Sequence, residues 1–180
     1  MKVNKLILFY SVFLFSCTQL SQTEKDLRAV VNTSLSLENL DTVMHKGAEI
    51  SLIKLKKMHN YLSVIHLQNG CQSCYPKFLE WHIKIDSLIV NNDYALLFII
   101  EGEDYSNFLA EVHKIQHVED KFYVVMDRDG KFLEQNKNIP LWIINNSVLI
   151  NSDNKIKMVG EPWVNKNMTK LFYSIVRNEK

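Results

Sequence analysis

The chain has 180 residues, 47% of them hydrophobic and 23% charged, and a formal net charge of +1. This length suits one domain plus a short leader, and the composition is that of a globular protein rather than a disordered one. The near-neutral charge excludes a basic field that would draw in nucleic acid, and no acidic tail points to a basic partner.

The N-terminus reads as a leader. Lys2 and Lys5 precede an apolar run over residues 6–15 that only Ser11 interrupts. Such a run is shorter than the roughly 20 residues a membrane-spanning helix needs and has the pattern of a secretory signal. It ends in Leu14-Phe15-Ser16-Cys17, which resembles a bacterial lipobox with Phe15 as a bulky departure. The resemblance implies cleavage before Cys17 and lipidation of that cysteine. The alternative is an ordinary signal peptide cut near Ser16. The expected organisation is therefore a lipoprotein-type signal peptide over 1–16, a lipidated tether over 17–25 and a folded domain over 26–180. With Cys17 occupied, Cys71 and Cys74 are the two thiols left. They can pair with each other, with a substrate or with a metal, and export would let a disulfide persist.

Residues 26–44 mix apolar and polar side chains and predict some helix. Residues 49–55 partly alternate and predict a strand. Residues 61–67 are mostly apolar, as a central strand should be, and Asn69-Gly70 ends them. Residues 72–87 predict a helix, with Pro76 tolerated in its first turn and Phe78, Leu79, His82 and Ile83 at helical spacing. Residues 94–100 are continuously apolar and predict a strand buried on both faces. Residues 104–116 predict a helix with Phe108, Leu109, Val112 and Ile115 on one face. Residues 122–126 predict a short strand closed by the turn Asp127-Arg128-Asp129-Gly130, and Phe132-Leu133 a short helix. An apolar stretch over 142–150 leads through Asn151-Ser152-Asp153-Asn154 into a hairpin partner over 155–159. Asn165 or Asn167 then caps a last helix with Met168, Leu171, Phe172, Ile175 and Val176 on its inner face. The first three strands alternate with helices and should run parallel, with the hairpin adding antiparallel strands.

A CxxC motif directly after a central strand, in this order of elements, is that of the thioredoxin-like superfamily. Residues 61–176 resemble the TlpA/ResA-type envelope lipoproteins of bacteria. The residues that carry the likeness are Cys71-Gln72-Ser73-Cys74, Asp127-Arg128-Asp129-Gly130, and the hairpin Val148-Leu149-Ile150-Asn151 with Asn154-Lys155-Ile156. The resemblance implies an α/β fold, a thioredoxin-like three-layer α/β/α sandwich with a central mixed sheet. Two departures stand out. Asn69-Gly70 replaces the family's tryptophan before the first cysteine, and Asn145-Asn146-Ser147 replaces the cis-proline facing the disulfide, Pro140 lying too far upstream.

A cysteine at a helix N-terminus meets free N–H groups and the positive end of the helix dipole, which lowers its pKa from about 8.5 into the range of roughly 3.5–7.5. Cys71 is the expected attacking thiol and Cys74 the resolving one, with Gln72 and Ser73 tuning the pair and Ser73 able to donate to a Cys71 thiolate. A CxxC loop removes little chain entropy, which argues against a purely structural bridge. His66, on the strand leading into the motif, is a candidate base where related folds place a buried acid, or else a sheet residue. His113 and His117, four apart on a helix, could join the cysteines in a Cys₂His₂ metal set, or form a solvated face. Trp81, Trp142 and Trp163 read as core or groove aromatics, and Tyr75 as a cover for the disulfide.

The expected function is a thiol–disulfide oxidoreductase, acting as a reductant and lipid-anchored in the bacterial envelope, facing the periplasm. It would need no cofactor, and its partners would be protein thiols or disulfides and the membrane, not nucleic acid. The alternatives are a non-catalytic binding lipoprotein, to which the two departures point, and a metal-binding dithiol protein.

Overall fold

The computed structural model describes residues 20–88 and 93–177. The leader, Cys17 and residues 18 and 19 lie outside the described residues. Among the described residues, no helix is long and apolar enough to cross a membrane.

Helix α1 spans Gln22–Val30. It starts where Ser21 and Glu24 cap each other: the Ser21 hydroxyl accepts from the Glu24 N–H, and the Glu24 carboxylate accepts from the Ser21 N–H. This reciprocal pairing satisfies two otherwise open donors. Part of the polar stretch expected as tether is therefore helical. Strands β1 (Thr42–His45) and β2 (Ala48–Ser51) form a hairpin. Lys46 (φ 50°) and Gly47 (φ 75°) both adopt the left-handed turn conformation. Two such residues match the twist of paired strands. Ser51 then caps α2 (Leu52–Met58) through its hydroxyl, so the expected strand over 49–55 is half strand and half helix.

The centre follows the expected alternation. Strand β3 (Tyr61–Gln68) leads into α3 (Cys74–Lys84) and a 3₁₀ turn (Ile85–Ser87); β4 (Tyr94–Glu101) leads into α4 (Tyr105–Ile115); β5 (Tyr123–Asp127) leads into α5 (Lys131–Gln135). A further helix, α6 (Leu141–Ile144), precedes the hairpin β6 (Ser147–Asn151) and β7 (Ile156–Val159), and α7 (Lys166–Arg177) closes the chain. Asn165 caps α7, its side-chain oxygen accepting from the Asn167 and Met168 N–H groups. The sheet order is β2-β1-β5-β4-β3-β6-β7, with β3, β4 and β5 mutually parallel and the outer pairings antiparallel.

Helices cover both faces of the sheet. Side chains alternate along β3 and β4, so Tyr61, Ile65, Leu67, Leu96, Phe98 and Ile100 meet α3, α4 and α7. Leu62, Val64, Leu97 and Ile99 meet the opposite core built from α1, α2, α5 and α6. This double burial is why both strands read as unbroken apolar runs. Two expected core positions stand outside: Ile115 is 56% exposed and Leu171 44% exposed. The first ends its helix, and the second sits at the margin of a face that buries Phe172 and Val176 instead. Trp81 is fully buried, whereas Trp142 is partly exposed and donates its indole N–H to Asp26.

Two buried polar side chains tie the pieces together. Asp127 accepts from the N–H groups of Lys131 and Phe132 and so opens α5. Asn136 accepts from the Ser36 N–H and donates to the carbonyls of Ser36 and Phe132. A buried amide with three satisfied bonds is costly to remove, because its partners are left without others. Asn136→Ala is expected to lower stability by roughly 2–4 kcal/mol, measured by urea unfolding.

Candidate active site

The cysteine pair sits where β3 gives way to α3. The strand ends at Gln68, and a turn closes as the Cys71 N–H reaches the Gln68 carbonyl and the Cys74 N–H reaches the Cys71 carbonyl. Gly70 takes φ 81°, a conformation glycine adopts without a side-chain clash. Asn69 packs against Gly102, where a Cβ would come within 2.8 Å of the Asn69 Cβ. The buried Tyr75 secures this turn from below: its hydroxyl accepts from the Gly70 N–H at 2.8 Å and donates to the Asn69 side chain at 3.3 Å. Tyr75 thus holds the loop before the motif, and its ring packs on Phe108.

Cys71 and Cys74 are joined by a disulfide with Cα atoms 5.3 Å apart, a separation usual for such bridges. The two sulfurs differ in setting. The Ser73 hydroxyl lies 3.3 Å from the Cys71 sulfur, and the Gln68 N–H points at the Cys74 sulfur from 3.4 Å. Helix α3 begins at Cys74, so the pair stands at the positive end of the helix dipole, although the Cys74 and Lys77 N–H groups are bonded to the Cys71 and Ser73 carbonyls and Pro76 has none. Gln72 is exposed at the head of the turn.

The disulfide opens into a cavity of about 240 Å³ whose wall includes His66, Lys77 and Asn145. His66 is buried on β3 with its ring over Phe132, and its Nε2 has no hydrogen-bond partner. The nearest carboxylate oxygen, on Glu101, is 3.6 Å away, beyond hydrogen-bond range. Burial pushes the imidazole pKa below its ordinary value; the charge of Asp127 opposes this and that of Lys77 adds to it. The ring is therefore neutral near pH 7. Nothing in the sequence marks Lys77 beyond its place three residues after Cys74, the spacing of a shared helix face. Its ammonium donates to the Asn145 carbonyl at 2.6 Å and lies 4.0 Å from Glu161. Burial lowers its pKa, opposed by Glu161 and Glu80.

A second, open groove adjoins the first through Ser73 and Lys77 and is bordered by Pro76, Glu80, Glu161 and Trp163. Trp163 packs edge-on against Trp81 and donates to Glu80. Of Asn145-Asn146-Ser147, Asn145 lines the disulfide cavity and Asn146 the adjoining groove, while Ser147 opens β6 opposite Ile65 of β3. Pro140 immediately precedes α6. The two histidines weighed for metal are not brought to the cysteines. The pair lies at the C-terminal end of β3, whereas α4 runs back from the C-terminal end of β4 to the opposite rim, where His113 meets the Val118 carbonyl and the His117 ring.

A mixed sheet with three parallel central strands, helices on both faces and a CxxC disulfide between the first of those strands and its helix defines the thioredoxin-like class. Solved structures agree. The chain is similar to a thiol-disulfide oxidoreductase from Bacteroides fragilis (TM-score 0.53, 14% identity, 77% of this chain and 99% of that one). It is also similar to tryparedoxin I from Crithidia fasciculata (TM-score 0.52, 10% identity, 79% and 92%). A protein from Aquifex aeolicus with a proposed role in electron transfer matches likewise (TM-score 0.54, 17% identity, 83% and 99%). No family model matches the sequence, and no curated protein matches it. At such identities the likeness concerns the fold: this chain has a thioredoxin-like fold.

The buried imidazole links the site to stability. Its pKa is below the unfolded value of about 6.5. Above that value neither state binds the proton. As pH falls below it, the unfolded chain takes up a proton that the folded chain refuses, and stability declines. The urea midpoint of the protein should therefore fall more between pH 7.5 and 5.5 than that of His66→Gln.

Proposed function

We propose that the protein is a thiol–disulfide oxidoreductase whose redox centre is Cys71–Cys74. The observation that carries this reading is the disulfide at the β3–α3 junction, open to a cavity that an unpartnered, neutral imidazole also reaches.

Starting from the dithiol, the Cys71 thiolate attacks one sulfur of a partner disulfide. A mixed disulfide forms, and the other partner sulfur leaves as a thiolate and is protonated. His66 Nε2 then accepts the Cys74 proton. The Cys74 thiolate attacks the Cys71 sulfur, breaking the mixed bond and releasing the second partner thiolate, which takes a proton in turn. Two electrons have passed to the partner, and the Cys71–Cys74 bond has formed. Cys71 is the attacking thiol because Ser73 is placed to donate to its thiolate, whereas Cys74 packs against the apolar core.

The partners in this reading are protein disulfides, and the direction is reduction. The leader and Cys17 support placement in a bacterial envelope, lipid-anchored and facing the periplasm. The non-catalytic binding reading is favoured by one observation: the Asn145 carbonyl beside the disulfide is already taken by Lys77.

Trapping separates the two. Cys74→Ser should accumulate a mixed disulfide between Cys71 and its partner, visible on non-reducing gels, and Cys71→Ser should abolish insulin-disulfide reduction. A Cys74→Ser protein that traps nothing while Cys71→Ser keeps normal partner binding would select the binding module. Cys17→Ser is expected to move the protein from the membrane to the soluble envelope fraction.

A further inference from the structure

We propose that Lys77 is a positioning residue that sets the redox balance of the cysteine pair, by holding a fixed positive charge in the wall of the disulfide cavity. The proposal rests on the oxidoreductase reading and extends it to a residue that takes no part in the proton and electron steps.

Among the described residues that line this cavity, Lys77 is the charged one; His66 is neutral there, and the others are uncharged at neutral pH. Its side chain is only 21% exposed. Its ammonium is held by one carbonyl at 2.6 Å and faces one carboxylate oxygen at 4.0 Å, where the disulfide cavity meets the open groove. What the charge can do is electrostatic. Reduction of the disulfide by two electrons and one proton leaves a Cys71 thiolate and a Cys74 thiol, and a cation in the same cavity favours that thiolate.

The bond to the Asn145 carbonyl uses one of three ammonium donors and holds the charge at the cavity wall beside the disulfide. Glu161 moderates it from 4.0 Å. The other charged groups around the cavity act from further off or are already engaged. Glu80 is bonded to Trp163, Asp127 to the N–H groups of Lys131 and Phe132, and a Glu101 oxygen lies 3.6 Å from His66 Nε2. Two opposite changes therefore follow. Removing Lys77 should make the thiolate harder to form, and removing the Glu161 charge should make it easier.

The test uses the full-length protein in detergent and needs no partner. The rate of Cys71 alkylation by iodoacetamide is followed against pH, and the dithiol–disulfide equilibrium is read in glutathione buffers. Lys77→Met should move the alkylation midpoint upward by about one pH unit. It should also shift the equilibrium about tenfold toward the disulfide, equivalent to about 30 mV. Lys77→Arg should retain most of the wild-type behaviour, and Glu161→Gln should move both readouts the other way. A folded Lys77→Met with both readouts unchanged overturns the proposal. If that variant does not fold, Glu161→Gln decides, and an unchanged or same-direction shift overturns it. A normal Lys77 effect in a protein that traps no partner would fault the oxidoreductase reading alone.

Discussion

The ring of Phe78 touches those of Phe98, Phe108 and Phe122, with centroids 4.8–5.5 Å apart, and this contact decides where the cysteine pair stands. Phe78 lies one helical turn past Cys74 and is fully buried. Its partners come from β4, α4 and the entry to β5, so one side chain locks α3 to three parts of the central layer. Aromatic rings packed edge-to-face contribute beyond their buried area and prefer particular geometries. With the helix fixed, its N-terminus can point only at the end of β3. The turn from Asn69 to Ser73 spans what is left, and Tyr75 pins it.

Much of this was legible from the chain. Strands β3 and β4 are buried on both faces, so their apolar runs have no competing explanation. The CxxC helix follows from the periodicity of its apolar residues, and the last helix from its asparagine cap. The N-terminal hairpin was legible only in part, at residues 49–51 of β2. Its strands are four residues each and bury Val43 alone, so alternation had little room to show; the signal available was Gly47 between two short β-prone stretches. Ile115 and Leu171 show a different limit. Helical spacing places a residue on a face, but tertiary contact decides how wide the buried stripe is.

The site divides along similar lines. The cysteines and Ser73 announce themselves because their chemistry and spacing are local. His66 is ambiguous in sequence because a strand histidine is more often packed than reactive; the structure makes it both, ring on Phe132 and Nε2 unpartnered. Lys77 reads as an ordinary charge on a helix surface until the β6 approach is folded over it. The two departures from the resembled family also have physical counterparts here. Where a tryptophan was expected, the Tyr75 hydroxyl bonds the Asn69-Gly70 turn. Where a proline was expected, the Asn145 carbonyl holds the Lys77 ammonium.

The pairing of β1 with β5 bears on how the chain reaches this state. The hairpin closes on itself through a two-residue turn, yet its place in the sheet is beside Val124, reached through Met44. On a chain emerging from synthesis the hairpin precedes β3, β4 and β5 and has no sheet to join until they assemble. Contacts of such sequence separation are late events in folding. Until they form, Val43, buried in the finished molecule, has no core to enter. The N-terminal hairpin thus stays uncovered until β5 is in place, and the stretch before it, whose Asn32 and Leu35 N–H groups reach the Ile156 and Asn154 carbonyls, for longer still; a holding chaperone would serve both.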